Sequence, residues 1–114
     1  CMARPDLVKK FGYRPSFNLQ PLYDEAAEAV QSSGRMVEVN TSGLTYACAE
    51  LFPAPDLLRT FCRAGIPCSI GTDAHDPAVV DRNLMPGLAA MYEAGYRCVT
   101  VPTSTGDRRQ IALE

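Results

Sequence analysis

The stretch "SIGTDAHDP", residues 69–77, holds the only histidine of the chain, His75, two positions after Asp73 and at the end of an apolar run. Residues two apart in extended backbone project to the same side, so both side chains can face one site. A carboxylate oxygen and an imidazole nitrogen are ligands for zinc, manganese or iron. The spacing is typical of half a metal site, but an ordinary polar loop explains it as well.

A single histidine cannot complete a metal site, so the remaining ligands must be carboxylates or groups from outside the chain. The sequence offers Glu38, Asp6 and Asp76 for this purpose. Glu38 lies in a predicted buried strand, where an acid is costly unless it is paired or bound to a cation. An edge strand that faces water explains Glu38 equally, so the ligand set stays open.

Other reactive residue types have ordinary interpretations. Residues 40–43, "NTSG", cap helices or form turns more often than they bind phosphate. The five cysteines are odd in number and form no C-x-x-C pair, which argues against a disulfide framework or a zinc ribbon. We expect Cys62, Cys68 and Cys98, which lie inside apolar stretches, to pack as small hydrophobes. Arg108 and Arg109 are expected in a solvated tail.

Composition limits the classes of function. The chain has 114 residues, 46% hydrophobic and 21% charged, with a formal net charge of −2. It has no basic face for nucleic acid and no apolar run near the ~20 residues that span a bilayer. The first residues lack the apolar stretch of a signal peptide. We therefore expect one cytoplasmic domain over residues 1–114, without nucleic-acid or membrane partners.

Three segments repeat one pattern, in which a proline marks a helix start, a glycine ends the helix and an apolar run follows. Such alternation predicts parallel strands joined by right-handed crossovers. Pro86 is expected to break or restart the third helix. A strand at 1–3 and a short helical turn are expected first. The predicted helices are 21–34, 53–65 and 76–95, and the strands that follow them are 35–39, 66–71 and 96–101.

The polar residues of interest follow the predicted strands. Asp6, Asn40 to Ser42, and Asp73 with His75 each come after a strand, as do residues 103–105. In parallel α/β architectures, both open sheets and barrels, reactive groups collect where the carboxyl ends of the strands share one mouth. We therefore expect these side chains to lie at one end of the molecule.

Four stretches together resemble the C-terminal part of the polymerase and histidinol phosphatase (PHP) family, with most similarity to its histidinol-phosphatase branch. They are "ARPDLVKKFG", "VEVNTSGL", "LFPAPDLLRTFCRAGIPCSIGTDAHDP" and "LMPGLAAMYEAGYRCVTV", and they span nearly the whole chain. The resemblance implies the C-terminal half of a distorted (β/α)7, TIM-like barrel. It also implies a metal-dependent hydrolase of phosphoric monoesters that acts in histidine biosynthesis.

The resemblance assigns roles to particular residues. Asp73 and His75 would be ligands of different divalent ions, which are zinc, manganese or iron. Arg4, Asn40 and Ser42 would contact a phosphorylated small-molecule substrate. In such a hydrolase the cations would make hydroxide from bound water and neutralise the leaving alkoxide.

Three departures limit this assignment. The early metal motifs of the family have no counterpart here, so the metal cluster is incomplete and we expect the 114 residues alone to be inactive. Arg4 stands where the family has histidine before "PDLVK", and a guanidinium cannot ligate a cation, although it can hold a phosphate at two points. Thr45 stands where histidinol phosphatases carry a basic residue.

Three alternatives follow from the sequence. The chain is one part of a PHP-type phosphatase that needs its missing N-terminal half, or a non-catalytic remnant that binds a phosphorylated ligand or a partner chain through Arg4 and the strand-end loops. The third is a structural fragment that forms a homo-oligomer through exposed apolar edges.

Overall fold

Two short parallel strands, β1 (Val37–Asn40) and β2 (Cys68–Gly71), form the centre of the fold in the computed structural model, which describes residues 1–114. They pair in register from Val37 opposite Cys68 to Asn40 opposite Gly71. The connection between them contains a short 3-10 helix, Thr41–Thr45, and the helix α2 (Pro55–Arg63). This strand, helix and parallel strand form the α/β unit that the sequence predicts.

Three helices flank the strands: α1 (Gln20–Ser32), α2 and α3 (Leu84–Ala94). Proline occupies the first turn of α1 and α2, where its missing N–H leaves no hydrogen bond unmade. The predicted helices therefore exist, with ends shifted by a few residues. Their apolar faces meet the strands in one buried core: Ala27, Val30, Val37, Val39, Leu57, Leu58, Phe61, Ile66, Cys68, Met91, Tyr96 and Val99.

The third predicted helix is divided differently from the expectation. Asp76 caps a separate 3-10 helix, Pro77–Val79, because its Oδ1 accepts a hydrogen bond from the Ala78 N–H at 2.9 Å. Helix α3 begins later, after Asn83 in the left-handed region. Pro86 lies in the first turn of α3 and does not interrupt it, because the N–H groups of a first turn have no partner within the helix.

The last part of the chain forms a hairpin that the sequence analysis missed. Strand β3 (Cys98–Pro102) pairs antiparallel with β4 (Arg108–Ala112). Arg108 and Arg109 thus belong to an exposed strand, and the expectation of a tail is wrong. The five residues between the strands suit a hairpin and are too few for the crossover that parallel pairing needs. Among the four strands, parallel pairing therefore holds for β1 and β2 only.

The first residues contribute less than a full strand. Met2 makes one parallel bridge with Val37, and a 3-10 helix, Leu7–Phe11, follows as the predicted helical turn. The molecule is thus a mixed α/β structure with a two-stranded parallel sheet, and the half-barrel stays a prediction. None of its helices combines the length and the apolar character needed to cross a bilayer.

Candidate functional site

The carboxyl ends of β1 and β2 carry the predicted site residues, and an ion pair joins the N-terminal segment to this place. Asn40 ends β1 opposite Gly71, which ends β2, and Asp73 follows two residues later. Arg4 Nη1 donates to Asp73 Oδ2 at 3.1 Å. We call Arg4, Asp73 and His75 the strand-end corner. The pair is partly exposed, with 36% of the Arg4 side chain and 26% of the Asp73 side chain accessible.

Both members of this ion pair have unusual backbone conformations. Arg4 has φ of 48° and Asp73 has φ of 54°, in the left-handed region that residues with a Cβ rarely adopt. Such conformations cost free energy and cluster at functional sites. The two residues meet through one salt bridge, and Ala49 and Asn83 also have positive φ outside the corner.

His75 lies on the outer side of the corner. Its Nδ1 is 2.9 Å from the backbone carbonyl oxygen of Asp73 and, since a carbonyl only accepts, Nδ1 carries the proton. In the neutral ring, Nε2 is then the atom with a free lone pair. A depression of about 400 Å³ adjoins His75 and is lined by residues 74–77 and Val80. The histidine is thus exposed and oriented by the Asp73 backbone.

Asn40 and Ser42 are buried and hydrogen-bonded to each other. The Asn40 Oδ1 accepts from the Ser42 N–H at 3.1 Å and from Ser42 Oγ at 2.6 Å, which caps the 3-10 helix that follows. The Asn40 Nδ2 donates to Glu38 Oε1 at 2.9 Å. The structure thus gives these residues the capping role that the "NTSG" pattern favours, and contact with a substrate stays a prediction for both.

Gly71 allows Glu38 to lie against the end of β2. A Cβ on Gly71 would lie 2.7 Å from Glu38 Oε2, so any other residue there would displace this carboxylate. Glu38 is half-buried and pairs with the amide of Asn40. Its acid group is therefore accounted for by a hydrogen bond within the strand end, and no cation is required to explain it.

Asp6 belongs to a second charged cluster, away from Asp73. Its Oδ2 accepts from the Ala54 N–H at 2.8 Å and pairs with Lys9 Nζ at 2.8 Å. Lys9 also reaches Glu50 Oε2 at 2.7 Å, and Arg14 contacts the same oxygen at 2.8 Å. The sequence analysis missed Lys9, although the Asp6 and Lys9 spacing of three residues is a recognised pairing signal.

The charges of this cluster act on Glu50. Burial alone would raise the pKa of the Glu50 carboxyl, but hydrogen bonds and charge from Lys9 and Arg14 outweigh it and hold that pKa below its usual value. Lys9 thus pairs with Asp6 through Oδ2 and shares Glu50 with Arg14, while the Asp6 Oδ1 is buried without a hydrogen-bond partner. The cluster fastens the Leu7–Phe11 helix to the loop before α2.

The residues of this chain do not by themselves fit a metal centre. No three His, Cys, Asp or Glu side chains lie close enough together to hold one ion. A catalytic zinc takes three protein ligands and a structural zinc takes four. Asp76 is used as a cap, and Asp73 faces the guanidinium of Arg4. Any metal bound through Asp73 and His75 would need further ligands from another source.

The fold and the site define a mixed α/β protein with a polar corner at the carboxyl ends of its parallel strands. The chain is 36% identical over 96 residues to a protein of Deinococcus radiodurans named probable histidinol-phosphatase. The match covers 83% of this chain and 36% of that protein, so the chain spans about a third of the length of the curated relative it matches. No family model matches the chain.

This similarity supports a histidinol-phosphatase-like relationship, as the resemblance predicts. Membership of the PHP family stays a prediction.

Proposed function

We propose that the chain is part of a phosphomonoester hydrolase that acts on histidinol phosphate or a closely similar ester. The observation that carries the proposal is the identity of 36% over 96 residues to the probable histidinol-phosphatase. Because the match covers 36% of that protein, we propose that hydrolysis requires segments beyond these 114 residues. The 114 residues alone are then inactive.

The proposed hydrolase uses divalent cations, which are zinc, manganese or iron, and Asp73 and His75 are two of their ligands. The free Nε2 of His75 and the carboxylate of Asp73 have the right chemistry for these ions. Two conditions apply, because Arg4 must leave Asp73 and the remaining ligands must come from outside the chain.

A second candidate function is binding of a phosphorylated ligand without hydrolysis. The Arg4 side chain favours it, since its only hydrogen bond to the protein is the one to Asp73. The other N–H groups of the guanidinium are free to donate to phosphate oxygens, and Asp73 fixes the orientation of the fork.

A chimera tests the hydrolase. The 96 matched residues of this chain would replace their counterparts in the Deinococcus protein, and phosphate release from histidinol phosphate would be measured for the parent, the chimera and its Asp73→Asn variant. We expect an active chimera and a loss of at least about a hundredfold in the variant, the scale on which removing a metal-site contact acts. The 114-residue chain alone should release no phosphate above its His75→Ala variant.

The same set of proteins separates the two candidates. A folded but inactive chimera beside an active parent would refute the hydrolase. Binding of inorganic phosphate to the 114-residue chain, measured by calorimetry and lost in Arg4→Gln, would then support the second candidate. An active chimera that tolerates Asp73→Asn would show that the corner is not the site.

A further inference from the structure

The N-terminal segment holds Arg4 in a fixed place beside Asp73. The Met2 N–H donates to the carbonyl of Met36 at 2.7 Å, and the Glu38 N–H donates to the carbonyl of Met2 at 3.1 Å. On the other side of Arg4, its own carbonyl accepts from the Leu7 N–H at 3.1 Å. Backbone hydrogen bonds on both sides thus fix the position from which the guanidinium reaches Asp73.

We propose that Arg4 is an internal competitor of divalent cations at Asp73. The guanidinium carries a permanent positive charge, has no lone pair for a metal and occupies Oδ2 of the carboxylate at 3.1 Å. A cation that binds Asp73 must displace Arg4 or tolerate a positive charge next to it, and both lower its affinity. Arg4 thus makes the strand-end corner a poor fit for a divalent cation.

The structure also shows which groups remain once the charge of Arg4 is removed. Asp73 would keep its position after Gly71, and the His75 Nδ1 would still be held by the Asp73 carbonyl, with Nε2 free. A carboxylate and an imidazole then face solvent without a fixed counter-charge. The inference rests on this ion pair and not on the hydrolase proposal, so it can succeed or fail independently of any activity.

The single histidine provides a specific probe. Mn²⁺ would be titrated into the 114-residue protein while the imidazole proton signals of His75, the only ones in the spectrum, are followed by nuclear magnetic resonance. The proteins compared are the wild type, Arg4→Gln and Arg4→Lys. We expect Arg4→Gln to reach half-maximal broadening at a Mn²⁺ concentration at least about tenfold lower than the wild type, because one adjacent charge is gone.

The charge-retaining variant is the matched control. Arg4→Lys keeps the positive charge and should broaden at a Mn²⁺ concentration close to that of the wild type. Adding Asp73→Asn to Arg4→Gln should abolish the gain, since it removes the ligand for which Arg4 competes. The backbone amide spectrum reports the fold, and Arg4→Ala serves as a second neutral variant where Arg4→Gln does not fold.

Three results would overturn the inference. They are equal Mn²⁺ sensitivity in the wild type and the neutral variants, equal sensitivity in Arg4→Lys and Arg4→Gln, and a gain that persists after Asp73→Asn. Each is read without a substrate, so each is distinct from a failure of the phosphate-release assay.

Discussion

Lys9 is a buried cation whose ammonium group is fully paired within the protein. Its ammonium contacts Asp6 Oδ2 at 2.8 Å, Glu50 Oε2 at 2.7 Å and the carbonyl of Leu51 at 2.7 Å, so its three N–H groups have three acceptors. Only 7% of its side chain is accessible. Burying a charge is costly, and breaking such a group by removing one partner leaves the others unpaired.

Lys9→Met should therefore destabilise the protein. The variant keeps the length of the side chain, leaves Asp6 without a counter-ion and leaves Glu50 with Arg14 alone, at a cost of about 2–4 kcal/mol in the free energy of unfolding. Urea denaturation at neutral pH measures it. The control is Lys10→Met, which removes a neighbouring lysine that contacts only aromatic rings and should cost no more than about 1 kcal/mol. Equal losses in the two variants would contradict this role of Lys9.

The lowered pKa of the Glu50 carboxyl predicts how the stability of the protein depends on pH. Burial raises its pKa, but Lys9 and Arg14 lower it more, so the folded-state value lies below the ordinary 4.5. A lowered folded-state pKa gives a contribution that is fully present above the unfolded-state pKa and is lost as the pH falls through the folded-state value. We expect the free energy of unfolding to fall as the pH drops below about 4.5, and to fall less steeply in Glu50→Gln. Urea denaturation across the acid range would show parallel curves if Glu50 had no such role.

At the scale of elements, a glycine sets how closely α3 approaches the end of the parallel sheet. A Cβ on Gly87 would lie 2.7 Å from Ile70 Cδ1 and 2.8 Å from Thr41 Cγ2. Ile70 belongs to β2, and Thr41 begins the 3-10 helix after β1. Gly87 therefore lets α3 lie close to the ends of both parallel strands.

Gly87→Ala sets two effects of opposite sign against each other. Alanine in a helix interior is worth about 1 kcal/mol over glycine, whereas overpacking costs about 1–3 kcal/mol. Two contacts below 3.0 Å make overpacking the larger effect, so we expect a net loss of stability in thermal or urea unfolding. Ala89→Gly, on the exposed face of α3, should cost about 1 kcal/mol from propensity alone. A more stable Gly87→Ala protein would show that the side chains of Ile70 and Thr41 move aside at little cost in free energy.

Local signals explain which elements were predictable. Pro21 and Pro55 mark the first turns of α1 and α2, and Gly95 ends α3 at a φ of 114°. These are single-residue backbone constraints that act wherever the chain folds. Strand β4 was not predicted because "RRQIA" has no apolar alternation strong enough to distinguish an exposed hairpin strand from a tail.

The candidate site was predictable to a smaller extent. The placement of Asp73 after a parallel strand followed from the helix and strand alternation, and the structure confirms it. The partner of Asp73 could not be foreseen, because Arg4 reaches it from the far end of the chain. The Lys9 cluster could not be predicted for the same reason, since Glu50 lies in a loop distant in sequence. Side-chain contacts between segments distant in sequence require the fold, which spacing alone does not give.

At the scale of the whole molecule, one side of the surface is unusually apolar. Val8, Tyr13 and Phe17 form what we call the aromatic patch, with exposed fractions from 62% to 88%. A depression of about 560 Å³ adjoins it, lined largely by apolar side chains. Monomeric soluble proteins rarely leave such contiguous apolar area in water. The homo-oligomer expected through apolar strand edges stays a prediction, and this surface lies in the N-terminal segment rather than at a strand edge.

We expect the isolated chain to associate with itself through the aromatic patch. The mass measured by light scattering should rise above the 12.4 kDa of the monomer as the protein concentration increases. Val8→Ser combined with Phe17→Ser should keep the monomer mass, because burial of each apolar side chain contributes roughly 1.5–3 kcal/mol. Met85→Ser is the control, since it removes an exposed apolar side chain outside the patch. A constant monomer mass in the wild type, or association unchanged in the double variant, would contradict this role of the aromatic patch.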